Sequence, residues 1–370
     1  QVFEAAGNME AADFQSMGGD SAFAMFDTMG HEAAGQLDGD QLAGMFGAMD
    51  GDQMHAIGGD QLFETAGAMT QDNFMAMDAD SAFGMFDAMG SDNAMALEGD
   101  QMAGMFGAME HDQIGQMHGD TVFDAFENIG TEGMVAMDGD SKSGMFDAMA
   151  SEHFHEIGGG QLFEMAENMS GANFAAMGSD SAFGMFDTMG KDMVMDLEGD
   201  QMAGMFDAMG PEHFHDIGGD QMFEMAGNMS GDNFAAMGSD SAFGMFDAMG
   251  TDMVMSLEGD QLSGMFGAME HDQIGHMEGG MVFDAFQSMG TEGMMAMDGD
   301  SMAGMFDAMG AEHFHDIGGS QMFEMAGNMS GDNFAAMGSD SAFGMFDAMG
   351  ADMVMGLEGD QMAGMFDAMG

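Results

Sequence analysis

The chain has 370 residues, of which 67 are Asp or Glu and only two, Lys142 and Lys191, are Lys or Arg; the formal net charge is −65. That balance excludes neutralising a nucleic-acid backbone and attraction to anionic lipid, and the absence of Cys excludes disulfides and thiolate metal sites. No run of about 18 apolar residues is present, so membrane insertion is not expected, yet 46% apolar content is too much for a disordered acidic tail.

A twenty-residue period runs through the whole chain. Of the 18 positions divisible by 20 from 20 to 360, 15 are Asp; the exceptions are Gly160, Gly280 and Ser320. Nine residues later Met recurs at 18 of 19 positions from Met9 to Met369, with Ile129 the exception. The positions Phe14, Ala34, Met54 and onward to Val354 are all apolar, as are Met17, Leu37, Ile57 and onward to Leu357. Repetition at a fixed period marks a stacked array rather than a conventional catalytic domain.

Taken in chain order, residues 1–50 are a partial unit. Residues 51–110 form a diverged 60-residue unit, and 111–150 a 40-residue unit opening H-D-Q-I-G. Residues 151–210 and 211–270 are two close copies of the 60-residue unit, 271–310 a second 40-residue unit, and 311–370 a further 60-residue copy. The domain organisation expected is one continuous array, 1–370.

Within a repeat, Asp240 to Asp260 is representative. Asp240 reads as a helix N-cap, since its side-chain oxygen can accept from free N–H groups of the first turn. Ala242, Met245, Phe246 and Met249 follow at i, i+3, i+4 and i+7, one face of a helix. Gly250 suits the left-handed residue after a helix end. A shorter helix then starts near Thr251, with Val254 and Leu257 on one face. Helices of roughly nine and six residues are too short to stand alone, so they must stack. The fold expected is an all-α solenoid of two-helix coils; the alternative is a β-solenoid. The scarcity of Val, Ile and Thr and apolar spacings of three and four favour helices.

Phe and Ala trade places in the expected core. Where the sixth position of a repeat is Ala (Ala66, Ala166, Ala226, Ala326), the residue three earlier is Phe (Phe63, Phe163, Phe223, Phe323). This pattern is consistent with a ring displaced by one helical turn at constant volume. The Gly of G-M-F (Gly204, Gly244) lies mid-helix, where it costs about 1 kcal/mol relative to Ala; close approach of a neighbouring helix is the expected compensation.

Three groups of residues are candidates for chemistry. The 61 Met are mainly core, since Met fills irregular gaps and packs on aromatic rings. M-V-M (Met253, Met255; Met353, Met355) is the best candidate for copper(I) on thioethers. H-F-H (His153, His155; His213, His215; His313, His315) places two imidazoles two residues apart, awkward for chelation by one pair but open to metal bridging between coils. The acidic loops are D-G-D (Asp38, Asp40; Asp138, Asp140; Asp298, Asp300) and E-G-D (Glu98, Asp100; Glu198, Asp200; Glu258, Asp260). These pair carboxylates with turning backbone, the oxygen-rich setting that Ca²⁺ uses. The plainer reading has the second Asp capping a helix and the first solvated, with no cofactor. No Ser and His share a supporting pattern, so an enzyme is not expected.

The rhythm D-Q-M-A-G-M (Asp100 to Met105) and D-Q-I-G-Q-M (Asp112 to Met117) resembles the short-helix, low-complexity repeat arrays of large bacterial surface and adhesion-type proteins. Those arrays use Leu or Ile and a tighter period, where this chain uses Met and Phe. The resemblance implies an extracellular or cell-surface structural role and transfers no functional residue. The functional expectation is a stalk, fibre or filament whose partners are further copies or neighbouring repeats of a longer chain. Neither terminus reads as a polar capping repeat, which points the same way. The other reading is metal sequestration, with calcium on the acidic loops or copper on Met and His.

Overall fold

The computed structural model describes the backbone of residues 1–370 and every side chain except those of Ala150 and Glu152. Among the described residues the chain is all-α, with 34 α-helices, one 3-10 turn and no strand, so the β-solenoid is excluded. Two compact units are formed, Gln1–Met193 and Val194–Gly370. Among the described residues no helix is long and apolar enough to cross a membrane.

Each unit is built by one stacking rule. In the first, Ala11–Met17 lies on Gly39–Gly47, Gly51–Ile57 on Ala79–Met89, and Gln71–Met75 on Gly99–Gly107. In the second, Pro211–Ile217 lies on Ser239–Met249, Gly231–Ala235 on Gly259–Ala268, and Gly331–Ala336 on Gly359–Met369. Every helix in these pairs meets the third helix after it. A turn of the solenoid therefore holds three helices, not the two that the repeat suggests. Gly51 and Ala79 are 28 residues apart, and Gly59 and Ser91, which open another stacked pair, are 32 apart; the mean turn is thirty residues. Three twenty-residue repeats fill two turns, which is why the chain duplicates in units of 60.

The corners explain the count. Gly90 (φ 75°, ψ 155°) and Gly250 (φ 77°, ψ 159°) combine positive φ with extended ψ. That is a region nearly closed to other residues and distinct from the left-handed helical cap expected at Gly250. Such a glycine joins two helices with no further loop residue. Each corner bends the chain only part-way round, and three corners bring it back over its starting point.

The cap register also differs from expectation. The helix containing Asp240 is Ser239–Met249, with Gly238 as its N-cap. In D-G-D and E-G-D the first carboxylate is the cap and the second lies within the first turn, facing the helix dipole. The reason is the Gln, Ser or Asn at the third helical position. Where it is Gln, its side chain returns a hydrogen bond to the cap and closes a capping box two residues earlier than Asp240-type capping requires.

The core is Met and Phe. Phe46, Phe106, Phe206, Phe266 and Phe306 are fully buried, as are Phe154, Phe214 and Phe314 of H-F-H. Rings meet edge to face: Phe206 and Phe214 have centroids 6.1 Å apart at 83°, and Phe306 and Phe314 5.8 Å apart at 90°. The displaced rings do not stay inside. Phe63, Phe163, Phe223 and Phe323 are only half-buried, while Ala66, Ala166, Ala226 and Ala326 are fully buried. A shift of three residues falls about 60° short of a full helical turn, so the ring rotates towards the edge of the core instead of moving straight along it. The mid-helix glycines do mark close approach. A Cβ on Gly244 would lie 2.5 Å from Cβ of Pro211, and one on Gly264 would run into the carbonyl of Gly231.

Candidate functional site

The acidic loops resolve into helix caps. Asp38 accepts from the Gln41 amide at 2.8 Å, Asp138 from the Ser141 amide at 2.8 Å, and Asp298 from the Ser301 amide at 2.8 Å. Glu98, Glu198 and Glu258 form capping boxes with Gln101, Gln201 and Gln261. The backbone amides of these three Glu donate to the Gln side chains at 3.1, 2.9 and 2.9 Å. The second carboxylates take other roles. Asp40 accepts from Asn73 Nδ2 at 2.6 Å, Asp100 accepts from the amide of Gln101 at 3.0 Å, and Asp140 accepts from the amide of His111 at 3.2 Å. Asp200 and Asp300 lie in the first turns of Gly199–Met209 and Gly299–Met309. Asp260 and Asp298 line an open groove of about 530 Å³ with Asp232 and Glu292. Among the described residues no group of three His, Asp or Glu side chains is placed to hold a metal ion.

H-F-H works as a staple between turns. In two copies the first imidazole lies flat on a Phe of the preceding turn: His153 on Phe123 (4.4 Å, 13°) and His313 on Phe283 (4.3 Å, 17°). His213 is half-buried at the same place in its copy. The second imidazole reaches the following turn, where His155, His215 and His315 meet Asp187, Asp247 and Asp347 at 3.8, 3.4 and 3.2 Å. His55 meets Asp87 likewise at 2.9 Å. These pairs are largely exposed, so each contributes little stability. Residues two apart on a helix serve two neighbours well, which is why they do not converge on one ion.

Polar side chains inside the array do more. Gln41, Gln101, Gln261 and Gln361 are buried, and their Nε2 atoms donate to the carbonyls of Met9, Met69, Met229 and Met329 at 2.7–2.8 Å, each 32 residues earlier. Ser81, Ser141 and Ser301 do the same with Met49, Met109 and Met269 at 3.1–3.2 Å. These donors satisfy carbonyls at the ends of the preceding turn's helices, which otherwise would be orphaned.

One constellation escapes sequence reasoning altogether. His111 Nδ1 lies 2.9 Å from Ser143 Oγ, and Nε2 lies 2.9 Å from Asp147 Oδ2. Asp147 also accepts from the amide of Gly178 at 2.8 Å, so it ties three successive turns together. Ser, His and Asp in one hydrogen-bonded row is the arrangement of acyl-transfer enzymes. Here Ser143 is fully buried and its hydroxyl donates to the Asp140 carbonyl at 2.8 Å, so no substrate carbonyl can reach it. The row is a clasp. Only a known thirty-residue turn would have brought His111 and Ser143, 32 positions apart, into one view.

Lys142 sits beside the clasp. It is fully buried, and Nζ has no hydrogen-bond partner. Burial pushes its amine below the ordinary lysine range, and the nearby Asp138 carboxylate opposes the shift.

No protein-family model and no curated protein matches the chain. Among solved structures, an engineered protein solved by crystallography is similar over 99% of this chain and 93% of its own, at 13% identity and a TM-score of 0.33.

Proposed function

We propose that the chain is a structural repeat protein, a segment of an extracellular stalk, fibre or filament that grows by adding turn to turn. One observation carries this reading: the polar side chains of the interior serve to join one turn to the next. The H-F-H histidines bridge neighbouring turns, and the buried Gln and Ser donors satisfy carbonyls 32 residues earlier. Such contacts build a continuous stack and enclose no substrate, and the partner that fits them is another turn of the same repeat. The acidic loops cap helices, so no observation favours metal sequestration over this reading.

Sedimentation and negative-stain electron microscopy across protein and salt concentration test it. Salt enters because carboxylates of adjacent turns, about 10 Å apart at helix-packing distance, repel within roughly one Debye length. Longer assemblies are expected as salt rises. Monomers at every concentration and salt level would sink the assembly reading. Immunogold labelling of intact host cells tests the location; label confined to the cytoplasm would refute it.

A further inference from the structure

The two 40-residue segments, 111–150 and 271–310, differ at 11 positions. At two of these a fully buried polar residue stands opposite a fully buried apolar one: Lys142 against Met302, and Ser143 against Ala303. Both segments keep the imidazole–carboxylate contact to the neighbouring helix, His111–Asp147 and His271–Asp307, each at 2.9 Å and each more than four-fifths buried. Both keep the tight approach beneath it. A Cβ on Gly144 would lie 2.9 Å from Cα of His111, and one on Gly304 would lie 2.9 Å from Cα of His271. The backbone setting is therefore shared, and the polarity of the core is not.

We propose that segment 111–150 is a built-in opening joint: the first half of Gly139–Ile157 lifts from His111–Ile114 far more readily than Gly299–Met309 lifts from His271–Gly275. In the closed joint the Lys142 amine lies in the Met/Phe core with no acceptor. Lifting the helix lets water reach the amine and lets it approach Asp138 freely. Met302 has nothing to gain from water. The first joint does hold two bonds that the second lacks, Ser143 to His111 and the His111 amide to Asp140. The first is a neutral hydrogen bond and the second lies at the exposed surface, each the weaker effect against an unpartnered buried amine, so the balance favours opening. The clasp then serves as the latch that keeps the joint closed most of the time.

Hydrogen–deuterium exchange of the full chain, read on peptides from 141–149 and 301–309, tests this. The first stretch should exchange about tenfold or more faster than the second. Lys142→Met, which installs the residue of the second joint, should slow 141–149 to match 301–309. Met302→Lys should speed 301–309 by a similar factor. Equal exchange in the two stretches of the unaltered chain would overturn the proposal. So would a Lys142→Met chain that is no better protected or no longer folds, because Met already fits this slot at 302.

Discussion

The 60-residue units and the 40-residue segments are made of the same repeats, but they fit the turn differently. Sixty residues fill two turns, so each helix type returns to the side it left. Forty residues fill one turn and a third, so each type is carried on by a third of a turn. In the first unit the His55–Asp87 contact precedes segment 111–150 and His155–Asp187 follows it, 100 residues on, or three and a third turns. The same displacement separates His215–Asp247 from His315–Asp347 across segment 271–310 in the second unit. The lesson is that sequence period and structural period are separate quantities. The chain is regular where they agree and changes side where they do not.

The largest expected effect comes from breaking that agreement. Deleting 211–270 removes two whole turns and should leave cooperative unfolding and melting temperature nearly unchanged. Deleting 231–250 removes one sequence repeat, leaves His215 without Asp247, and sets Pro211–Ile217 on the wrong helix type. It should lower the melting temperature far more, as read by circular dichroism; equal melting of both deletions would break the three-helix account. Next in size is Phe214→Ala, which empties a fully buried ring from a 60-residue unit and should cost about 3–5 kcal/mol in urea unfolding. Ile274 fills the same slot in a 40-residue segment, and Ile274→Ala should fall within about 2–5 kcal/mol. Gln261→Ala leaves the Met229 carbonyl unpaired and should cost about 1–3 kcal/mol.

A pH measurement separates the two 40-residue segments. The Lys142 amine is lowered in the folded chain by burial, so the unfolded chain binds a proton more readily. Stability therefore rises with pH between the lowered value and the ordinary 10.5, and the penalty is full and constant below that window. The gap between the unaltered chain and Lys142→Met should be flat below that window and shrink through it as pH rises towards 10.5. A gap that widens with pH would contradict the assignment. Smallest of all, His215→Ala removes an exposed pair and should cost less than about 1 kcal/mol.

Much of the local structure was legible. Phe14, Met54, Phe154 and Phe214 are fully buried, as their place in the twenty-residue pattern requires. Gly244 marks a tight contact, as expected of a mid-helix glycine in so regular a pattern. The caps were misplaced by two residues because Asp240-type positions recur most strictly, whereas the capping box depends on a weaker signal, the Gln of D-G-D-Q. The clasp of His111, Ser143 and Asp147 was not legible, since its members lie 32 and 36 positions apart and no local pattern links them.

The sequence alone determined that the chain is helical, that helices of nine or so residues alternate with shorter ones, and most of the residues that they bury. Those properties follow from spacing within ten residues, where backbone geometry leaves little choice. Only the tertiary structure decided how many helices make a turn. That number depends on the angle at each corner, set by glycines such as Gly90 and Gly250 in a conformation that composition does not specify. With three helices to the turn, 60 became the natural unit, and Lys142 came to lie where Met302 lies in its twin.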